Sequence, residues 1–275
     1  MAPDEWPMIH LKPKGGLCNR MQAVDSGIAL AHDLDVRLDI HWVRAGDLLC
    51  RFDRLFEPIA DPLVRMHEHR LRPLRFLRTH RSVRRVSRFW PFGALVFAKD
   101  ENRRLEAFDF RTAGRRSVII ESYSRFRSNA RPYACFRPIE ELRRRIAERT
   151  ALFGPHTVGV HVRRTDNAKS IAFSPDTLFL ERMRREIAVQ PATRFYLATD
   201  SLDVKRTFRE AFGDRIVATP YGTSRRTEDG VQEAVVELYA LARTSKILGS
   251  YWSTYSSAAA EIGRIELETV TADRA

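Results

Sequence analysis

The chain has 275 residues, 44% hydrophobic and 30% charged, with a formal net charge of +12. That composition excludes a disordered chain and gives room for one large domain or two ordinary ones. No apolar run approaches the roughly 18 residues that span a bilayer, and Met1 to Pro7 lack the basic start and apolar core of a signal peptide, so a cytoplasmic protein is expected.

The charge is unevenly placed. Residues 65–131 hold 18 Lys+Arg against 6 Asp+Glu, and the remainder is neutral. A basic, non-catalytic module binding nucleic acid or an anionic surface is one reading of this segment. No interleaved aromatic stacking motif supports specific nucleic-acid binding. Only six of the basic residues are lysines. Cys18, Cys50 and Cys135 are far apart, with no CxxC pair, so neither a zinc site nor a disulfide framework is expected.

Met8 to Lys12 reads as a first strand. Gly15-Gly16-Leu17-Cys18-Asn19-Arg20 reads as a turn, and Met21 to His32 as a helix. Strand, glycine turn and helix can aim backbone N–H groups at a ligand, although no GKS or GKT follows. Asp33-Leu34-Asp35 spells DxD but falls between a helix and a strand start, the wrong end for a ligand, and is read as structural. Asp35 to Val43 alternates as a second strand, and Leu63 to His67 reads as a third. Arg70 to Phe92 has a basic amphipathic pattern, either a helix with a solvated arginine face or an acceptor or membrane-surface contact. Ser117 to Ser122 reads as a strand ending near Glu121. Pro138-Ile139-Glu140-Glu141 opens a helix to Ala151, and a domain boundary is placed after residue 153.

The second half alternates strand and helix from His156 to Val270. The strands are His156–Val162, Arg194–Thr199, Arg215–Thr219, Lys246–Gly249 and Ile265–Val270. This is the pattern of a parallel, doubly wound α/β sheet. Polar clusters follow three of these strands: His161-Val162-Arg163-Arg164-Thr165-Asp166, Thr199-Asp200-Ser201 and Ser250 to Ser257. All three should lie on one sheet edge, where such folds bind ligands. There the arginines either pair with surface acids or clamp a diphosphate bidentately. Ser256 and Ser257 offer hydroxyls near a helix start, suited to phosphate. Asp200 either accepts from a base or ribose hydroxyl or caps the next helix.

His161 to Asp166 resembles the first motif of the α-1,2-, α-1,6- and protein O-fucosyltransferase superfamily, nearest in wording to the α-1,6 group. Phe195 to Ser201 is similar to its second motif and Ser250 to Ser257 to its third. Gly15 to Arg20 resembles the N-terminal glycine loop of the O-fucosyl and α-1,2 branches. The resemblance implies a GT-B fold, two Rossmann-like domains facing a cleft, here residues 1–153 on the acceptor side and 154–275 on the donor side. It implies transfer of fucose from GDP-fucose, or a related GDP-sugar, to a glycan or glycoconjugate hydroxyl, with inversion and no metal or other cofactor. By motif position Arg163 binds the β-phosphate with support from Arg164. His161 and Asp200 recognise guanine, and Ser256 and Ser257 contact phosphate. Gly15, Gly16, Asn19, Arg20 and Asp166 complete the donor set. The stretch Asn167 to Phe173 lacks the glutamate that the α-1,6 enzymes carry there. Glu121 is the substitute base, with Asp25 and His41 behind it.

Overall fold

The computed structural model describes residues 8–44, 47–69, 94–97, 101–113, 116–165, 168–221, 224 and 226–272. Asp166 and the amphipathic stretch of residues 70–92 lie outside them. The chain divides into two compact units that meet at Arg137 and Pro138.

The first unit is a five-stranded sheet in the order β3-β2-β1-β5-β4, formed by β1 (Met8–Pro13), β2 (Arg37–Val43), β3 (Val64–His69), β4 (Ala94–Phe97) and β5 (Ser117–Ser122). All of its pairs are parallel. Alternation along the strands separates two faces. Ile9, Leu11, Leu38, Ile40, Trp42, Val118 and Ile120 are buried, and helix α1 (Leu17–Leu34) packs on this side. A Cβ at Gly27 would come within 2.7 Å of Leu11 Cδ2, so the closeness of α1 to the sheet depends on that glycine. The alternate positions carry His10, Lys12, Asp39, His41, His67 and Glu121 beside the buried Met8 and Ile119. His41 stacks between His10 and His67, at centroid distances of 5.6 and 5.3 Å.

Helix α1 starts at Leu17, earlier than its hydrophobic spacing predicts, because the two glycines make the whole turn. Gly15 takes φ +78, open to glycine at no steric cost, and Gly16 is the N-cap. The Asp33-Leu34-Asp35 triplet ends this helix, as its structural reading requires. Asp35 is the left-handed C-cap, and Asp33 pairs with Arg127 Nε at 2.6 Å. Helix α2 (Asn102–Ala107) and strand β4 are additions to the predicted elements.

The second unit holds α3 (Glu140–Thr150), β6 (Thr157–Val162), α4 (Ala168–Phe173), α5 (Asp176–Val189), β7 (Arg194–Thr199), α6 (Leu202–Phe212), β8 (Ile216–Val217), α7 (Glu228–Leu241), β9 (Lys246–Ser250), α8 (Thr254–Gly263) and β10 (Glu266–Val270). Its strand order is β10-β9-β6-β7-β8, parallel throughout. The chain winds outward through β7 and β8, then crosses back to lay β9 and β10 on the other side of β6. The carboxyl ends of β6 and β9 therefore flank a topological switch point, where open α/β sheets bind ligands. Val158, Val160, Val162, Phe179, Met183, Phe195, Leu197, Phe208 and Leu248 form the core behind that edge.

Helix α3 goes with this unit, so the boundary lies earlier than the predicted one after residue 153. Its buried Leu142 and Ile146 and the ion pairs of Arg145 and Arg149 with Glu233 of α7 hold it there. Strand β8 is shorter than predicted and pairs with β7. No helix among the described residues is long and apolar enough to cross a membrane.

Candidate active site

The carboxyl edge of the second sheet gathers residues from all three predicted polar clusters. Ser250, the last residue of β9, bridges to the end of β6. Its hydroxyl accepts from the Arg163 backbone N–H at 3.1 Å and donates to the His161 carbonyl at 3.2 Å. The half-buried Arg163 thus stands at the switch point, held through its main chain.

Arg164 has a different task. Its Nε donates to Asp176 Oδ1 at 2.8 Å, and its Nη groups donate to the Arg163 carbonyl at 2.8 Å and the Ser174 carbonyl at 2.7 Å. A second guanidinium nitrogen also meets Asp176. With most of its five N–H groups engaged, Arg164 positions its neighbour and does not clamp a diphosphate beside it. Asp200 works on the same loop. Its Oδ1 accepts from the Arg164 N–H at 2.8 Å, and its Oδ2 accepts from the Thr165 hydroxyl at 2.6 Å and N–H at 3.2 Å. The cap of α6 is Ser201, whose hydroxyl accepts from the Val204 N–H, so the capping alternative for Asp200 is replaced by a loop clamp.

His161 is buried and stacks on Tyr255 at 4.7 Å. Its Nδ1 is hydrogen-bonded to the Ser256 hydroxyl at 2.7 Å. Ser256 is 1% exposed, so its side chain serves His161 and does not reach for phosphate. Ser257 turns back to the Ser253 carbonyl at 3.3 Å. What the third cluster presents is the start of α8 itself, where Ser253 is an N-cap without a side-chain cap bond, an end that favours anions. Gly249 permits this packing, since a Cβ there would lie 2.7 Å from the Ser256 side chain.

Burial, then the nearby Arg163 charge, lower the His161 pKa from 6.5 to about 3, against the opposing pull of Asp200. The imidazole is neutral at physiological pH. Because the folded pKa lies below the unfolded value, its contribution to stability is present above pH 6.5 and is lost as pH falls towards 3. Burial lowers His10 to about 4 in the same direction. Thermal or urea melts should lose up to about 1.4 kcal/mol per pH unit and per histidine below pH 6.5. His161→Asn, which keeps a polar atom near Nδ1, should flatten part of that slope. An unchanged slope would refute the assignment.

In the first unit, a second cluster forms at the ends of β1 and β5. Arg20 is buried; its Nε donates to the Gly15 carbonyl at 2.9 Å and its Nη1 to the Val43 carbonyl at 2.7 Å, over the Trp42 ring. Burial lowers its pKa to about 10, against the opposing pull of Asp47. Asn19 Nδ2 donates to the Tyr123 carbonyl at 2.6 Å. Arg20 and Asn19 therefore shape the glycine loop, leaving Gly15 and Gly16 as its ligand-facing candidates. Glu121, paired in register with Lys12, meets Lys12 Nζ at 2.9 Å and Lys14 Nζ at 3.8 Å. Asp25 is fully buried in α1 and accepts from Arg125, Asn129 and the Tyr133 N–H. Burial raises its pKa, and these donors oppose the rise. Asp25 pins the loop after β5, and His41 belongs to the histidine stack, so neither offers a base to a ligand.

Sequence reasoning missed Asp176 and Ser174 as partners of Arg164. It also missed the bridging role of Ser250.

Two parallel, Rossmann-like five-stranded units, the second with polar strand ends at a switch point, define an α/β fold. No family model matches the sequence, and no curated protein matches it. Solved structures do. NodZ α-1,6-fucosyltransferase co-crystallised with GDP is 18% identical, with 92% of this chain and 91% of that chain covered and a TM-score of 0.64; a NodZ structure from Bradyrhizobium gives 0.65. An Arabidopsis thaliana FUT1 mutant in complex with GDP is 14% identical, with 97% and 71% covered and a TM-score of 0.65. POFUT1 in complex with GDP is 12% identical, with 98% and 99% covered and a TM-score of 0.58. At these identities the likeness establishes the fold.

Proposed function

We propose that this protein is a fucosyltransferase that moves fucose from GDP-fucose to a glycan or glycoconjugate hydroxyl, with inversion and without a metal. The observation that carries this reading is Arg163 directly after β6, its N–H held by Ser250 at the end of β9, the strand whose next loop leads into α8. The fold shared with three GDP-bound fucosyltransferase structures supports the choice of donor.

The acceptor oxygen attacks the anomeric carbon from the face opposite the diphosphate, and its hydroxyl proton passes to water as the new bond forms. As the C–O bond to the β-phosphate breaks, negative charge grows on the departing GDP. A fixed guanidinium and a helix N-terminus stabilise that growing charge more than the ground state. Arg163 does this directly. Arg164, Asp176 and Asp200 keep its loop in place, and Ser250 fixes its backbone. Neutral His161 holds Ser256 and the start of α8 in register. Glu121 balances Lys12 and Lys14 and is left out of the chemistry.

The test is incubation with GDP-fucose and a panel of oligosaccharides in excess EDTA. Labelled fucose should appear on a saccharide with the opposite anomeric configuration. Activity that vanishes with EDTA and returns with a divalent cation would overturn the metal-free reading. No binding of GDP or GDP-fucose would overturn the donor assignment.

A further inference from the structure

The loop after β9 carries an aromatic group that the donor chemistry leaves unused. Trp252 lies two residues beyond Ser250 and immediately before the N-cap Ser253, and it is 65% exposed. Its backbone takes φ +56, a left-handed conformation that strains a bulky residue. Lys169 of α4 sits over the indole, with Nζ 4.4 Å from the centroid. Tyr251 is 6.0 Å from Trp252 and 5.2 Å from Phe173. Phe173 and Ile171 of α4 are themselves 43% and 41% exposed. The group is tied to the arginine loop: the Tyr251 N–H donates to the Ser174 hydroxyl at 2.8 Å, and the Ser174 carbonyl accepts from Arg164.

We infer that Trp252, with Lys169 and Phe173, is a saccharide-binding platform for the acceptor. The inference rests on the fucosyltransferase reading. A pyranose ring has an apolar C–H face and a hydroxylated rim. An exposed indole matches the face, and an ammonium beside it matches the rim. The location excludes the nucleobase, because in a nucleotide sugar the base is separated from the reacting sugar by the ribose and the diphosphate. The extent of the surface decides between the two sugars. Aromatic rings run from Trp252 through Tyr251 to Phe173 in centroid steps of 6.0 and 5.2 Å, more than one 6-deoxyhexose covers, so the platform suits an extended acceptor. Strain at an exposed tryptophan beside the reacting end is the kind held at ligand-binding positions.

The experiment uses GDP-[14C]fucose and a printed array of oligosaccharides, followed by kinetics on the saccharide that accepts most label. Trp252→Ala should raise the acceptor KM roughly tenfold, the loss typical of an aromatic anchor, and leave the donor KM within about twofold of its original value. Trp252→Phe should recover part of the loss. An unchanged acceptor KM, or a rise confined to the donor KM, overturns the platform while the fucosyltransferase reading stands. Absence of label on every saccharide with the unaltered protein overturns that reading and the platform with it.

Discussion

Arg163→Ala should remove most of the GDP-dependent rise in melting temperature and slow fucosyl transfer by about 100- to 1,000-fold, the range for losing one charge-stabilising donor. The backbone anchor of this residue does not involve its guanidinium: the Arg163 N–H is held by Ser250. Truncation should therefore leave that backbone anchor in place. Arg164→Ala should behave differently. Its guanidinium holds the Arg163 carbonyl, the Ser174 carbonyl and Asp176, so its removal loosens the loop and lowers the stability of the ligand-free protein as well as its activity. The two variants, compared by melting with and without GDP, separate a residue that meets the leaving group from one that positions it. A GDP shift that survives Arg163→Ala would remove the phosphate-binding assignment.

The sequence placed the polar clusters on the correct edge. Strand alternation and the cap signals fix where β6, β7 and β9 end, and parallel winding brings those ends together. The glycine turn was legible for the same reason, since a left-handed turn before an apolar periodic run needs glycine. What stayed hidden was which polar groups face a ligand and which face each other. Asp200, Arg164 and Ser256 each had a plausible ligand role, and each turns towards another residue of the motifs. Those pairings depend on the register of β9 against β6 and on the close packing at Gly249, neither of which leaves a periodic trace. Helix α4 was missed because its six residues form too short a run for periodicity to reveal. Helix α3 was recognised but given to the wrong unit. Its amphipathic pattern says that one face is buried, not against what.

Glu233→Ala tests that last point, with an expected loss of about 3–5 kcal/mol of unfolding free energy. Glu233 is 3% exposed. It receives Arg145 Nη2 at 2.6 Å and pairs with Arg149 on its other oxygen. The Tyr221 hydroxyl lies 3.4 Å away. Both arginines project from α3, and their side chains are 26% and 15% exposed. Removing the carboxylate strands two partly buried cations, whereas Glu233→Gln keeps an acceptor and should cost less. An isolated helix of eleven residues is marginal in water, so α3 depends on this latch together with buried Leu142 and Ile146. A fragment beginning at Pro138 should therefore fold and melt cooperatively, while one beginning at Gly154 should not. Circular dichroism and urea unfolding of both fragments, with and without Glu233→Ala, decide the matter. A stable fragment lacking α3 would show that the latch contributes little. A cooperative fragment from Pro138 that is weakened by Glu233→Ala would show that the second unit carries its own first helix, and that the fold at the Arg163 edge is built without the strands of the first unit.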